Sequence, residues 1–287
     1  MDSFNNMAEG FAMNALATKP ACSSVLSKTD VLQQPGPTGR LIINADDWGY
    51  DEQTTDRTLD CFNHGALSSA SGMVFMQDSE RAAKIAVERG FDIGLHLNLS
   101  APFSLRTIPA PLANHQQKVR AYLRSNRFAQ LVYHPGLANS FEYVVARQFE
   151  EFARLYGRTP ARIDGHHHMH LCANVLFARL LRAGTMVRRN FSFAPGEKSW
   201  LNLQYRRWVD HKLGARHAIT DHFFSLSPVQ PESRLRQIFL LAQQFVVEVE
   251  AHPAIPEEQR FLCDGGPLRL SPGLALASRY SPLEVLA

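Results

Sequence analysis

The chain has 287 residues, 45% of them hydrophobic and 20% charged, which is the composition of a globular protein long enough to bury a sizeable core. Its 30 basic and 27 acidic side chains leave a formal net charge of +3, and the nearest approaches to a basic cluster, "RLYGR" and "MVRRN", read as solvated helix ends and loop charges, so no nucleic-acid partner is expected. No run reaches the roughly 18 apolar residues that a membrane span requires.

Residues 1–39 are rich in Ser, Asn, Ala, Thr and Pro and end in "QQPGPTGR". They read as a disordered N-terminal extension, or as an over-extended start with Met7 or Met13 as the true first residue. The segment has no basic stretch followed by a continuous apolar one, so a signal peptide is not expected. Cys22, Cys61, Cys172 and Cys263 form no CxxC and read as free thiols in a reducing compartment. A cytoplasmic enzyme is the resulting expectation.

From Arg40 onward, strand and helix signals alternate. "RLIINAD" is a first strand, with a helical pattern over Thr54–His64. "SSASGMVFM" is a second strand and "DSERAAKIAVERG" a helix with an Asp or Ser cap and a Gly stop. "FDIGLHLNLS" is a third strand. Residues 101–139 carry several prolines and a weak helix over Gln116–Leu123, and a segment this irregular reads as a lid or binding insertion, with Phe103 and His134 as either lid contacts or plain surface-loop residues. Phe141, Val144, Val145, Phe149, Phe152 and Leu155 share one face of a helix over Phe141–Tyr156. The strand "RID" follows, then the histidine run of "IDGHHHMH" and the helix "LCANVLFARLLRAG". Further on come a strand "VRRNFSF", a helix "SWLNLQYRRWVDHKLG", a strand "ARHAITD", a helix "PESRLRQIFLLAQQ" and a strand "FVVEVEAHP".

Alternation throughout predicts an α/β fold with a parallel sheet and crossover helices. No Gly-rich nucleotide fingerprint is present, so a parallel (β/α) barrel over residues 40–287 fits better than a dinucleotide-binding sheet. Parallel barrels carry their chemistry at the C-terminal ends of the strands. There the sequence places Asn44, Asp46 and Asp47, then His96, then Asp164, His166, His168 and His170, and finally Glu248, Glu250 and His252.

Carboxylates and imidazoles gathered at one rim suit metal-assisted hydrolysis. One carboxylate and two imidazoles hold a divalent ion with positions left open. A second carboxylate takes a proton from water and a histidine protonates the leaving group. The pair in "ADDWG" offers a carboxylate for each role, although Asp and Gly there also suit a plain turn. Neighbours on a strand point opposite ways, so the reading requires the strand end to be irregular. Trp48 is either a stacking platform for a substrate ring or a core aromatic.

Together "NADDWG", "GLHLNL", "IDGHHHMH" and "EAHP" resemble the YdjC-like carbohydrate deacetylases, the family of chito-oligosaccharide deacetylase and the hopanoid-associated HpnK proteins. The resemblance covers residues 40 to about 255, with the motifs in family order. It implies an irregular barrel of the glycoside hydrolase/deacetylase type and metal-dependent removal of an acetyl group from an N-acetylated amino sugar. It implies Asp47, His96 and His166 as metal ligands, Asp46 as general base and His252 as general acid. It implies Mg²⁺, whereas two imidazoles with a carboxylate suit Zn²⁺ or another transition ion as well. Were "DGHHHMH" to stay extended, Asp164, His166, His168 and His170 would share one face. His168 and His170 then become candidate substrate contacts, and Asp164 a carboxylate that orients an imidazole. Residues 255–287, rich in Gly, Pro and Ser, depart from the family pattern and bring barrel closure at the C-terminus into question.

Two other readings fit fewer of these features. An amidohydrolase- or phosphoesterase-type hydrolase also uses HxH at a strand end, but usually on the first strand and often with two metals. A sugar-binding protein without turnover would not need all of Asp46, Asp47, His96, His166 and His252. A homodimer is left open.

Overall fold

The computed structural model describes residues 39–193 and 196–280, all of them in the compact unit Gly36–Ala287. The extension expected over residues 1–39 lies outside the described residues, Gly39 excepted. The strands are β1 (Arg40–Trp48), β2 (Ser69–Gly72), β3 (Ile93–Leu97), β4 (Arg162–Gly165), β5 (Met186–Val187), β6 (His222–Ser225) and β7 (Val246–Ala251). Between and after them lie α1 (Glu52–Asn63), α2 (Ser79–Arg89), α3 (Ala110–Ser125), α4 (Ala138–Tyr156), α5 (Ala173–Phe177), α6 (Trp200–Gly214), α7 (Glu232–Leu241), α8 (Pro256–Cys263) and α9 (Gly266–Leu270).

The seven strands form one sheet in the order β5-β4-β3-β2-β1-β7-β6, and every ladder is parallel. The order follows the circle of a barrel, as the sequence predicts. Between β5 and β6 the described residues contribute one isolated bridge, Met186 to Ala218, in place of a ladder. The sheet is thus a curled half-barrel, and its open seam lies at β5 and β6 and not at the C-terminus.

Two unlike layers result. Helices bury apolar faces on the outside of the sheet: α4 contributes Phe141, Val144, Val145 and Phe152, and ends at Gly157, whose φ of 66° is the left-handed helix stop that glycine adopts freely. The barrel interior is polar instead, with Asp46, His96, Asp164, Arg188 and Glu248 all at most 2% exposed. Buried charges on this scale require partners, and those partners build the site.

Several expected elements change. Residues 101–139 are more regular than expected: α3 fills sixteen of them and packs Leu112, Val119 and Leu123 inward. Phe103 and His134 accordingly pack on neighbours, Phe103 on Phe75 and His134 on Tyr122 and Asn174. "VRRNFSF" shortens to the two-residue β5, because Arg188 turns inward and Asn190 is drawn to Asp210 on α6. "ARHAITD" is a loop that bridges to β5 at Ala218, and the following "HFFS" is the strand. The C-terminal segment does contain helices, α8 and α9, before it runs back along β1. Among the described residues no helix is long and apolar enough to cross a membrane.

Candidate active site

β1 delivers two adjacent carboxylates to one place. On a regular strand Asp46 and Asp47 would face opposite sides. The β1–β2 register shifts between Ala45 and Trp48, and Asp47 takes a φ of 65°. That left-handed conformation is one that Asp tolerates better than most residues. The Asp47 carboxylate therefore swings over the rim, with Oδ1 3.1 Å from His96 Nε2 and 2.9 Å from His166 Nδ1. The Asp46 carboxylate stays below it inside the barrel, with Oδ2 4.0 Å from His96 Nδ1.

His96 stands between the two aspartates near the end of β3. Its Nδ1 donates to Asp164 Oδ1 at 2.8 Å, since a carboxylate can only accept, and this fixes the ring with Nε2 aimed at Asp47. Asp164 at the end of β4 is itself held by Arg162 at 3.2 Å and Arg188 at 3.1 Å.

The histidine run does not stay extended. His166–Leu171 is a kinked 3-10 turn in which His167 and His168 have φ of 55° and 57°. The shared face expected for His166, His168 and His170 is lost. His166 alone joins Asp47 and His96, with its ring stacked on Tyr50. The His167 ring lies beside Ser100 Oγ at 2.9 Å. His168 turns toward Glu250, its Nε2 3.6 Å from Oε2, and packs against Phe191 and Phe223. His170 is fully buried and its Nε2 donates to the Arg188 carbonyl at 3.0 Å, so it fastens β4 to the segment after β5 and is not placed for substrate contact. Since His166 and His168 diverge, the run does not supply the paired HxH ligands that an amidohydrolase site uses.

Trp48 is likewise not at the rim. It is 0% exposed, edge-on to Phe62 and Phe91 in the helix layer, because it lies past the register shift on the outer face of the sheet. It offers no face to a sugar ring.

Arg188 is the residue that the sequence concealed. Within "MVRRN" it looks like a solvated charge, yet it is 0% exposed. Its Nη1 and Nη2 donate to the two oxygens of Asp46 at 2.6 and 2.7 Å, and its Nε donates to Glu248 at 2.7 Å. Asn44 Nδ2 donates to the same Asp46 at 2.8 Å. A signal did exist: in "VVEVEA" both glutamates fall on one face of a strand buried throughout, and two buried carboxylates need a cation.

The electrostatics follow from this crowding. Burial pushes the Glu250 carboxyl up to about 8, with the Asp46 charge adding to it and Arg188 opposing. Burial alone would lower the His96 imidazole, but Asp46, Asp164 and Asp47 together raise it to about 10. Burial would likewise raise Asp47, yet His166 and His96 hold it well below the usual carboxylate range. His252, just past β7, is pulled down by burial and raised more strongly by Glu250, Asp46, Asp47 and Glu258. Its backbone N–H donates to Glu258 at 2.6 Å.

Asp47, His96 and His166 fit a divalent ion. One donor atom from each lies within 4.8 Å of the others. The surrounding carboxylates create a demand for positive charge that His96 meets by holding a proton, and a cation would meet the same demand. One carboxylate with two imidazoles is also a common donor set for such ions.

A family model described as "YdjC-like protein" matches residues 40–284. A carbohydrate deacetylase of Danio rerio is 31% identical over 168 residues, covering 56% of this chain and 52% of the relative. A chitooligosaccharide deacetylase of Serratia marcescens is 30% identical over 132 residues, covering 46% and 50%. The chain thus spans about half the length of the curated relatives it matches. Among solved structures, an Enterococcus faecalis protein described as a cellobiose-phosphate cleavage protein superimposes with a TM-score of 0.59 at 17% identity, over 81% of this chain and 93% of that one, and shares its fold. The family match runs from the first strand of the half-barrel through the segment bearing Tyr280, well past the motifs at the rim, and on that ground the chain belongs to the YdjC-like family.

Proposed function

We propose that the chain hydrolyses the acetamido group of an N-acetylated amino sugar, releasing acetate and the free amine. The observation that supports this reading is the different surroundings of the two aspartates. Asp47 meets His96 and His166 in a candidate cation cluster, whereas Asp46, although it too lies within 4.8 Å of donor atoms of His96 and Asp164, has both oxygens gripped by Arg188.

Asp47, His96 and His166 would hold a divalent ion, which supplies Lewis acidity by acidifying a water and polarising the acyl oxygen. Asp46 accepts a proton from the attacking water as its oxygen adds to the acetyl carbon. The Arg188 fork fixes the direction of the carboxylate; Oδ1 accepts from both Arg188 and Asn44, and Oδ2, which accepts only from Arg188, keeps a second lone pair for that proton. His252, surrounded by Glu250, Asp46, Asp47 and Glu258, donates its proton to the amine nitrogen as the C–N bond breaks. The deacetylase relatives in Danio rerio and Serratia marcescens support the sugar as substrate class.

The test is acetate release from a panel of N-acetylated mono- and oligosaccharides, with metal-stripped protein reconstituted with single ions including Mg²⁺ and Zn²⁺. Activity restored by one of these ions is expected. Binding of a sugar without acetate release, or hydrolysis of p-nitrophenyl phosphate in its place, would overturn the proposal.

A further inference from the structure

A line of buried polar groups crosses the barrel from the N-terminal ends of its strands to Asp46. It begins in the C-terminal segment, which the sequence left without a role. β2 pairs with β1 only from Asn44 onward, so the start of β1 has a free edge. Leu276 bridges to Leu41 on that stretch, and the Ala277 N–H donates to the Leu41 carbonyl at 2.8 Å. The Tyr280 N–H then donates to the Asp92 carboxylate at 2.9 Å, just ahead of β3.

From there the Tyr280 side chain enters the barrel and is 4% exposed. The Arg162 guanidinium lies 4.5 Å from its ring centroid, and its hydroxyl is 2.5 Å from Glu248 Oε2. Glu248 Oε1 accepts from Arg188 Nε at 2.7 Å, and the two outer nitrogens of Arg188 grip Asp46 at 2.6 and 2.7 Å. Three contacts therefore join the C-terminal segment to the carboxylate at the opposite end of the strands.

Arg188 has alternatives. Asp164 lies 3.1 Å from Nη2, and Glu250 lies 3.3 Å from Nη1. A guanidinium is a rigid planar fork, so the carboxylate that meets its Nε decides which one meets its outer edge. Glu248 occupies the Nε side, and the Tyr280 hydroxyl occupies the other oxygen of Glu248. Without that hydroxyl, a buried carboxylate oxygen loses its donor, and Glu248 must turn or take up a proton. Either response loosens its hold on Arg188.

We propose that the Tyr280 hydroxyl is a positioning group of the active site, which acts through Glu248 to orient Arg188 and thereby the Asp46 carboxylate. The inference rests on the reading of Asp46 as the base. It gives the C-terminal segment a part in catalysis at a distance from the substrate.

Tyr280→Phe keeps the ring against Arg162 and removes only the hydroxyl. Acetate release from the best N-acetylated sugar should show kcat reduced by about tenfold to a hundredfold, with KM within about twofold, as small misplacements of a reacting group do. In a Glu248→Gln background the same substitution should reduce kcat little further, because groups acting in series are non-additive. A merely structural tyrosine would lower the unfolding midpoint and leave kcat of the folded fraction unchanged. Wild-type kcat in folded Y280F, or losses that add in the double variant, would overturn the inference. Should Y280F not fold, E248Q alone carries the test, with reduced kcat at unchanged KM expected and wild-type kcat overturning it. If the wild-type protein releases acetate from none of the sugars, the deacetylase reading fails. The crystal structure of Y280F then decides the positioning role separately: an Arg188 fork rotated off Asp46 upholds it, and an unmoved fork overturns it.

Discussion

Arg188 grips both oxygens of Asp46, at 2.6 and 2.7 Å, in a barrel interior where the arginine has no exposed surface. The geometry is bidentate, and a lysine cannot reproduce it. Asp164, Glu248 and Glu250 also lie against the same guanidinium. Arg188 is thus the charge around which the interior is assembled and the clamp on the carboxylate assigned as base. Arg188→Met leaves these carboxylates without their cation, and breaking a buried pair in this way costs about 3–5 kcal/mol. Urea unfolding should show a loss of that order. Arg188→Lys should recover part of the stability and little of the activity. Equal recovery of both would contradict the clamp.

The cation cluster makes a graded prediction. His166→Ala removes a donor and should abolish stoichiometric binding of the activating ion, measured by calorimetry on metal-stripped protein. Asp164→Asn keeps all three donors but weakens the acceptor that orients His96, and loss of such a supporting contact typically costs about 10–100-fold in metal affinity. An Asp164→Asn protein with wild-type affinity would show that the β3 backbone alone sets the ring.

Asp46 and His252 should separate from the ligands in the same assay. Asp46→Asn and His252→Ala are expected to bind the ion normally and to lose roughly 10²–10⁴-fold in kcat, the usual worth of general acid–base help. Loss of the ion in Asp46→Asn would move Asp46 into the ligand set and undo the division proposed for the aspartate pair.

Acid should weaken the fold through His170. Burial lowers this imidazole from its ordinary 6.5 to about 4, against the Arg188 carbonyl and Asp164, which favour the charged form. Below pH 6.5 the unfolded chain takes up a proton that the folded one resists until about pH 4. The unfolded state then binds more protons, so stability is full above pH 6.5 and declines as pH falls toward 4. The contribution is on the order of 3 kcal/mol. His167 and His168 are displaced in the same direction, so His170→Gln should flatten the slope in this window without removing it. An unchanged slope in unfolding measurements from pH 7 to pH 4 would rule out His170 as a contributor.

Much of the architecture is legible in the residues. Alternating strand and helix signals predict the parallel sheet, and the spacing of Phe141, Val144, Val145 and Phe152 is enough to place the buried face of α4. Asp47, His96 and His166 are expected at the same rim, and they meet there. The errors have physical causes. "VRRNFSF" has the β-branched and aromatic character of a strand, but Arg188 has a stronger claim on it, since four carboxylates in the interior draw that segment inward. Trp48 stays undecided in the sequence because an indole beside two aspartates suits a sugar as readily as a core, and only the register shift at Asp47 decides which way it points.

Residue chemistry and strand-end positions are properties of the sequence alone, and they determine that carboxylates and imidazoles gather at the C-terminal rim of a parallel sheet. Which of them meet depends on backbone dihedrals that no local pattern announces. A left-handed Asp47 brings two neighbours to one pocket, and left-handed His167 and His168 divide a run of identical side chains among different partners. Long-range pairing settles the rest. Arg188 and Tyr280 carry no motif, and they belong to the site because folding buries them among carboxylates that cannot remain buried without a donor.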